Sequence, residues 1–277
     1  MPTVTNGSVQ IHYEDTGGAG RAVVLVHGWP LSGESWADLA PALRDAGYRV
    51  VAYDRRGFGR SGKPGAASPY DYDTLTGDLD ALMRELDLRD ATLVGFSMGG
   101  GEVARYVGTH GADRVRSVVF ASAIPPCLLQ DENHPDGGLP MEMVRSLQEG
   151  LRADPPGFLD GFLHNFYSVD GELKVTEAQL QAAIGLAGQA DVHAAAECIE
   201  SWASDFTGDV ARIAELGLPT LVIHGDSDAT VPFEVSGKRT HEAVPGSELV
   251  LLTGGPHGIP ASHTEEFNAA VLALLRR

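Results

Sequence analysis

Apolar residues in this chain gather into short blocks, and polar stretches with a helical spacing lie between them. The blocks Ala22-Val-Val-Leu-Val26, Arg49-Val-Val-Ala-Tyr53, Ala91-Thr-Leu-Val-Gly-Phe96, Val115-Arg-Ser-Val-Val-Phe-Ala121, Pro219-Thr-Leu-Val-Ile-His224 and Glu248-Leu-Val-Leu-Leu252 are strand-sized and nearly unbroken, as in strands covered on both faces. Val9-Gln-Ile-His-Tyr-Glu14 alternates instead, like a half-exposed strand. The periodicity predicts helices over Trp36–Ala46, Tyr70–Asp87 and Glu102–His110, and further ones at about 232–243 and 261–276. Buried strands alternating with helices imply an α/β protein with a mostly parallel sheet.

The pattern changes between Ile124 and Asp205. Proline pairs, the acidic turn Asp131-Glu-Asn-His-Pro-Asp-Gly-Gly138 and four helix-like pieces at 141–152, 155–166, 176–187 and 191–203 replace the alternation. This predicts a core domain of residues 1–123 and 206–277 with a helical cap, 124–205, inserted in it. A chain of 277 residues can bury a single core of that size.

The candidate chemistry lies where the blocks end. Gly95-Phe-Ser97-Met-Gly99 follows one strand and opens a helix, so Ser97 would be lifted on a tight turn. The glycines at 99–101 should each cost about 1 kcal/mol against alanine, and close approach of helix to sheet gives a reason to keep them. Serine alone is a poor nucleophile. It needs a histidine to take its proton and a carboxylate to orient that histidine. Among ten histidines, His257 alone follows a strand and sits in a Gly-Pro-His-Gly turn that exposes its ring. His27 and His224 end strands and read as structural. The acid is Asp226 or Asp228, two residues apart after the same strand. Met98 N–H, just beyond the serine, and Trp29 N–H, in the His27-Gly-Trp-Pro30 turn, are the natural oxyanion donors. The side chains of Trp29 and Met98 should line an apolar pocket, joined by Pro30 and by Phe158, Phe162 and Phe166 of the cap. The run Asp54-Arg55-Arg56 could bind an anion, but after a strand and before Gly57-x-Gly59 it reads as ion pairs that tie loops together.

Taken jointly, His27-Gly-Trp-Pro30, Tyr53-Asp-Arg-Arg-Gly-Phe-Gly-Arg-Ser61, Gly95-Phe-Ser-Met-Gly-Gly-Gly-Glu102, His224-Gly-Asp-Ser-Asp228 and Gly254-Gly-Pro-His-Gly258 resemble the cofactor-free haloperoxidase, perhydrolase and esterase group of the α/β-hydrolases. The resemblance implies a mostly parallel eight-stranded sheet flanked by helices, and the chain order Ser, Asp, His is the one characteristic of that fold. It also selects Asp228 over Asp226 as the triad acid and implies that no cofactor or metal is used. In the resembling enzymes a proline at the position of Pro30 accompanies use of hydrogen peroxide in place of water. The proline ring fixes its own φ and restricts Trp29, so it sets where the Trp29 carbonyl points. The implied substrates are a small ester or short carboxylic acid with water or peroxide, the products an acid or a peracid. A lactonase or carbon–carbon bond hydrolase on the same triad, and a non-catalytic receptor of the same fold, are the alternatives.

Charge and composition narrow the partners. A formal charge of −18 opposes nucleic acid and anionic membranes. No apolar stretch approaches the roughly 20 residues of a membrane helix, and the N-terminus lacks a signal pattern, so a cytoplasmic location is expected. Cys127 and Cys198 show no metal-ligand spacing and read as buried thiols. The resemblance leaves a homo-oligomer open.

Overall fold

A computed structural model describes residues 2–67 and 69–277. Its elements run β1 (Thr3–Asn6), β2 (Val9–Asp15), β3 (Ala22–Val26), α1 (Leu39–Asp45), β4 (Arg49–Tyr53), α2 (Tyr72–Glu85), β5 (Ala91–Phe96), α3 (Met98–His110) and β6 (Val115–Ala121). The chain then leaves the sheet for α4 (Met141–Ala153), α5 (Pro155–Phe166), the small hairpin β7 (Ser168–Val169) and β8 (Glu172–Leu173), α6 (Glu177–Ala187) and α7 (Val192–Ser201). It returns through α8 (Thr207–Glu215), β9 (Thr220–Gly225), α9 (Gly237–Ala243), β10 (Glu248–Leu252), α10 (Ile259–Ser262) and α11 (Thr264–Leu275).

Eight strands form one sheet in the order β1-β2-β4-β3-β5-β6-β9-β10. The first two run antiparallel at one edge, and every pair from β4 and β3 onward is parallel. The central strands β3 and β5 are buried along their whole length, which explains why they read as unbroken apolar runs rather than alternating ones. Their carboxyl ends, with those of β9 and β10, define one edge of the sheet, where a parallel α/β fold places its ligands.

The structure departs from the periodicity at several places. The helix expected over Trp36–Ala46 starts at Leu39, after a 3-10 turn at Gly33–Trp36. Pro41 has no N–H for the Ala37 carbonyl and its ring would crowd that group, so it can stand only in a first turn. The helix expected at 261–276 divides at His263 into α10 and α11. The hairpin β7–β8 turns on Asp170-Gly171, both at positive φ; that dipeptide is the strongest short-range hairpin signal a sequence offers. Helix α8 buries Val210 and Ile213, a short i, i+3 stripe too brief to stand out. No helix among the described residues is long and apolar enough to cross a membrane.

Candidate active site

Ser97 occupies the single residue between β5 and α3, at φ +54° and ψ −120°. A non-glycine residue held there stores roughly 1–3 kcal/mol of strain. Strand and helix meet backbone to backbone on either side of it. A Cβ on Gly95 would lie 2.5 Å from the Gly99 carbonyl oxygen, and one on Gly99 would run into the Val26 carbonyl. Glycine is therefore the residue that lets the turn close.

The turns after β9 and β10 bring two partners to this serine. Ser97 Oγ lies 2.8 Å from His257 Nε2, and His257 Nδ1 lies 2.7 Å from Asp228 Oδ2. With Nδ1–H donating to Asp228, Nε2 is left to accept the serine proton. All three side chains are buried. Asp228 Oδ1 accepts from the backbone N–H groups of Thr230 and Val231 at 2.9 and 2.8 Å. His224 stands beside it, its Nε2 2.8 Å from the Val231 carbonyl oxygen and 3.3 Å from Asp228 Oδ2. Burial alone would raise the Asp228 pKa, but attraction to His257 and hydrogen bonds from His224 and His257 hold it well below the usual carboxylate range. Asp226, by contrast, is exposed and accepts from Gly254 N–H and the Ser227 hydroxyl. It closes a turn.

Met98 is the first residue of α3, so its N–H has no intrahelical acceptor. Trp29 N–H likewise meets no acceptor among the described residues. Trp29 precedes the buried Pro30 through a cis peptide bond, and its indole Nε1–H donates to the Ala195 carbonyl at 3.0 Å, tying the turn to α7. His27 is structural: its Nε2 accepts from Arg55 N–H at 2.9 Å and its Nδ1 donates to the Gly28 carbonyl. Below this turn Arg55 pairs with Glu102, which also accepts from Tyr53 Oη at 2.7 Å, and Arg55 Nη2 donates to the His27 carbonyl at 2.7 Å. Arg56 pairs with Asp78 at 2.6 Å. The charged run thus ties the loops together by ion pairs, and these are buried.

A cavity of about 360 Å³ opens onto Ser97 and Trp29. Its walls are largely apolar, with Ile124, Leu128, Leu139, Phe162, Trp202 and Val231 prominent. Phe162 lines it, whereas Phe158, Phe166, Pro30 and Met98 are not among its lining residues. Phe166 instead stacks edge-on against His257 at 4.6 Å, and Phe158 packs on Phe162 and Trp29. A helix-spaced aromatic stripe shows which residues share a face, not which of them reach a cavity. Leu128, Leu139 and Val231 come from loops, Leu147 from α4, and Trp202 from the residue just past α7. One further grouping was invisible along the chain. Spacing gave no metal-ligand set, yet the fold brings the ligand atoms of Cys127, His134 and Asp205 within 4.8 Å of one another.

Residues 21–263 match the family model described as the alpha/beta hydrolase fold. The non-heme chloroperoxidase of Kitasatospora aureofaciens is 40% identical over 277 residues, covering 99% of this chain and 98% of that protein. A bifunctional esterase/perhydrolase of Acinetobacter calcoaceticus is 36% identical, with 98% of each chain covered. The crystal structure of bromoperoxidase from Bacillus anthracis superposes with a TM-score of 0.94 at 47% identity, covering 100% of this chain and 99% of that one. The chain belongs to the α/β-hydrolase fold family. Within that family it groups with the non-haem haloperoxidases and the esterase/perhydrolases.

Proposed function

We propose that the protein is a serine hydrolase of carboxylic esters that works through an acyl-enzyme and also forms peracids when hydrogen peroxide replaces water. The hydrogen-bonded chain from Ser97 through His257 to Asp228, at the mouth of an apolar cavity, carries this reading. Ser97 Oγ attacks the ester carbonyl as His257 Nε2 takes its proton, and the N–H groups of Trp29 and Met98 receive the developing oxyanion. His257 then passes the proton to the leaving alcohol. Water or peroxide, deprotonated by the same nitrogen, releases the acid or peracid. Loss of one oxyanion donor costs about 3–4 kcal/mol of barrier in comparable sites. Residues 124–205 serve as a cap whose inner surface sizes the acyl group. The similarity to an esterase/perhydrolase supports both branches of the reaction.

A panel of p-nitrophenyl esters from acetate to octanoate, run with and without peroxide in acetate buffer, tests the proposal. Turnover with a chain-length preference and peroxide-dependent peracid supports it. Absence of any chromophore burst with folded protein overturns the enzymatic reading, and hydrolysis without peracid removes the perhydrolase branch alone.

A further inference from the structure

Away from Ser97, the two ends of the 124–205 segment meet in a short antiparallel bridge between Cys127 and Asp205. Phe206 N–H donates to the Pro126 carbonyl at 2.8 Å beside it. His134, from the acidic turn between them, folds back onto this neck, with Nε2 3.6 Å from Asp205 Oδ2. The sulfur of Cys127, a His134 ring nitrogen and an Asp205 carboxylate oxygen all lie within 4.8 Å of one another.

From this geometry we infer that Cys127, His134 and Asp205 form a binding site for a borderline-soft divalent cation of the zinc or cobalt type, which clamps the neck of the inserted segment. Thiolate, imidazole and carboxylate are the ligands such ions select, and they leave a fourth, tetrahedral position to water. Bond lengths of about 2.0–2.3 Å require ligand atoms about 3.5 Å apart, so the present triangle needs a contraction of roughly 1 Å. The surroundings already resemble a ligand sphere. His134 Nδ1 lies 2.8 Å from Asp131 Oδ1, the outer carboxylate that fixes a ligating histidine with its Nε2 lone pair outward. Asp205 Oδ1 is held by Thr207 N–H at 2.8 Å, and Oδ2 faces His134 Nε2 at 3.6 Å.

The charges facing Cys127 are Asp205, Asp131 and Arg239. Arg239 Nη1 is turned onto the carbonyls of Cys127, Val235 and Asp136. Binding forms the sulfur–metal bond and releases the Cys127 thiol proton to water. The clamp has a functional address, because Leu128 and Leu139 of the same loop line the cavity over Ser97. None of the catalytic steps uses the ion.

The test is titration of the EDTA-dialysed, reduced full chain with Co²⁺. A thiolate-to-cobalt charge-transfer band saturating at one ion per chain is expected, displaced by Zn²⁺ and absent in Cys127→Ser and His134→Gln. Asp131→Asn should weaken binding by about 10- to 100-fold. Zn²⁺ should raise the Tm of the wild type and not of His134→Gln, a half-exposed position at which folding is safe. Absence of the band, or a band that survives in Cys127→Ser and so comes from Cys198, overturns the site.

Discussion

The sheet edge that carries Ser97 and the helical segment that covers it are built on different principles. At the edge the triad is held by directional hydrogen bonds: Asp228 alone accepts from two backbone amides and faces two imidazoles. The segment meets it mostly through rings. Trp29 lies edge-on to Phe162 at 4.9 Å and to Trp202 at 5.1 Å, and Phe162 stacks on Phe158. Directional contacts fail when one atom changes, because a buried partner is left unpaired. Apolar contacts give way gradually with volume. The chemistry is therefore expected to be brittle and the acyl preference adjustable.

The largest effect should come at the brittle end. Asp228→Asn is expected to lower kcat by about 10³–10⁴ through the wrong imidazole tautomer, while Asp226→Asn, at an exposed turn, should change it little. Ester turnover on folded variants checks the pair, and the reverse ranking would exchange the two acids. The same substitution alters acid stability. Asp228 has a depressed pKa in the folded state, so its contribution is fully present above the unfolded carboxylate value of about 3.9 and is lost as pH falls below it. The variant, lacking that group, should lose less stability than the wild type in the same acid range, as followed by chemical denaturation.

Glu102→Gln breaks a different kind of directional contact, one that serves folding. Arg55 would keep its buried charge without a counter-ion, a change that costs about 3–5 kcal/mol in comparable sites. Denaturant midpoints should fall accordingly. A drop below about 1 kcal/mol would mean that His27, through its carbonyl, suffices for the guanidinium.

How legible each region was follows from the same contrast. The strand ends and the serine turn have sequence signatures because backbone geometry dictates residue type there: only glycine tolerates the contacts at 95 and 99. The choice of Asp228 over Asp226 was not contained in spacing, since both follow β9, and came from family resemblance. The cavity wall was less legible still. Phe158, Phe162 and Phe166 share a helical spacing, yet only Phe162 reaches the cavity, because α5 rolls Phe166 toward His257. The neck residues Cys127 and Asp205 stand far apart in the chain, and only the return of the segment joins them.

The adjustable region should respond by degrees. Phe162→Ala enlarges the cavity beside Trp29 and Trp202. Each extra methylene buried is worth about 0.8 kcal/mol, or roughly fourfold in kcat/KM at 1.36 kcal/mol per decade. The ester panel should therefore shift toward longer acyl chains by about four- to sixteenfold, with acetate hydrolysis within a few-fold of wild type. Equal losses for all chain lengths would place Phe162 in the brittle set instead.

Pro30 lies where the two regions join, buried between the donor turn and the ring cluster, and its effect should be the smallest. Its ring fixes one backbone angle and removes an N–H, so it can orient the Trp29 carbonyl without touching Ser97, His257 or Asp228. If that carbonyl accepts a hydrogen bond from bound peroxide, Pro30→Leu removes one such bond while the Trp29 N–H still faces the ester. One hydrogen bond is worth about 0.5–1.5 kcal/mol net, which is roughly a three- to tenfold fall in the ratio of peracid formation to ester hydrolysis. Equal falls in both activities would mean that the whole turn has moved and the oxyanion donors with it. An unchanged ratio would leave Pro30 a packing residue, and peroxide selection would then have to come from the cavity wall.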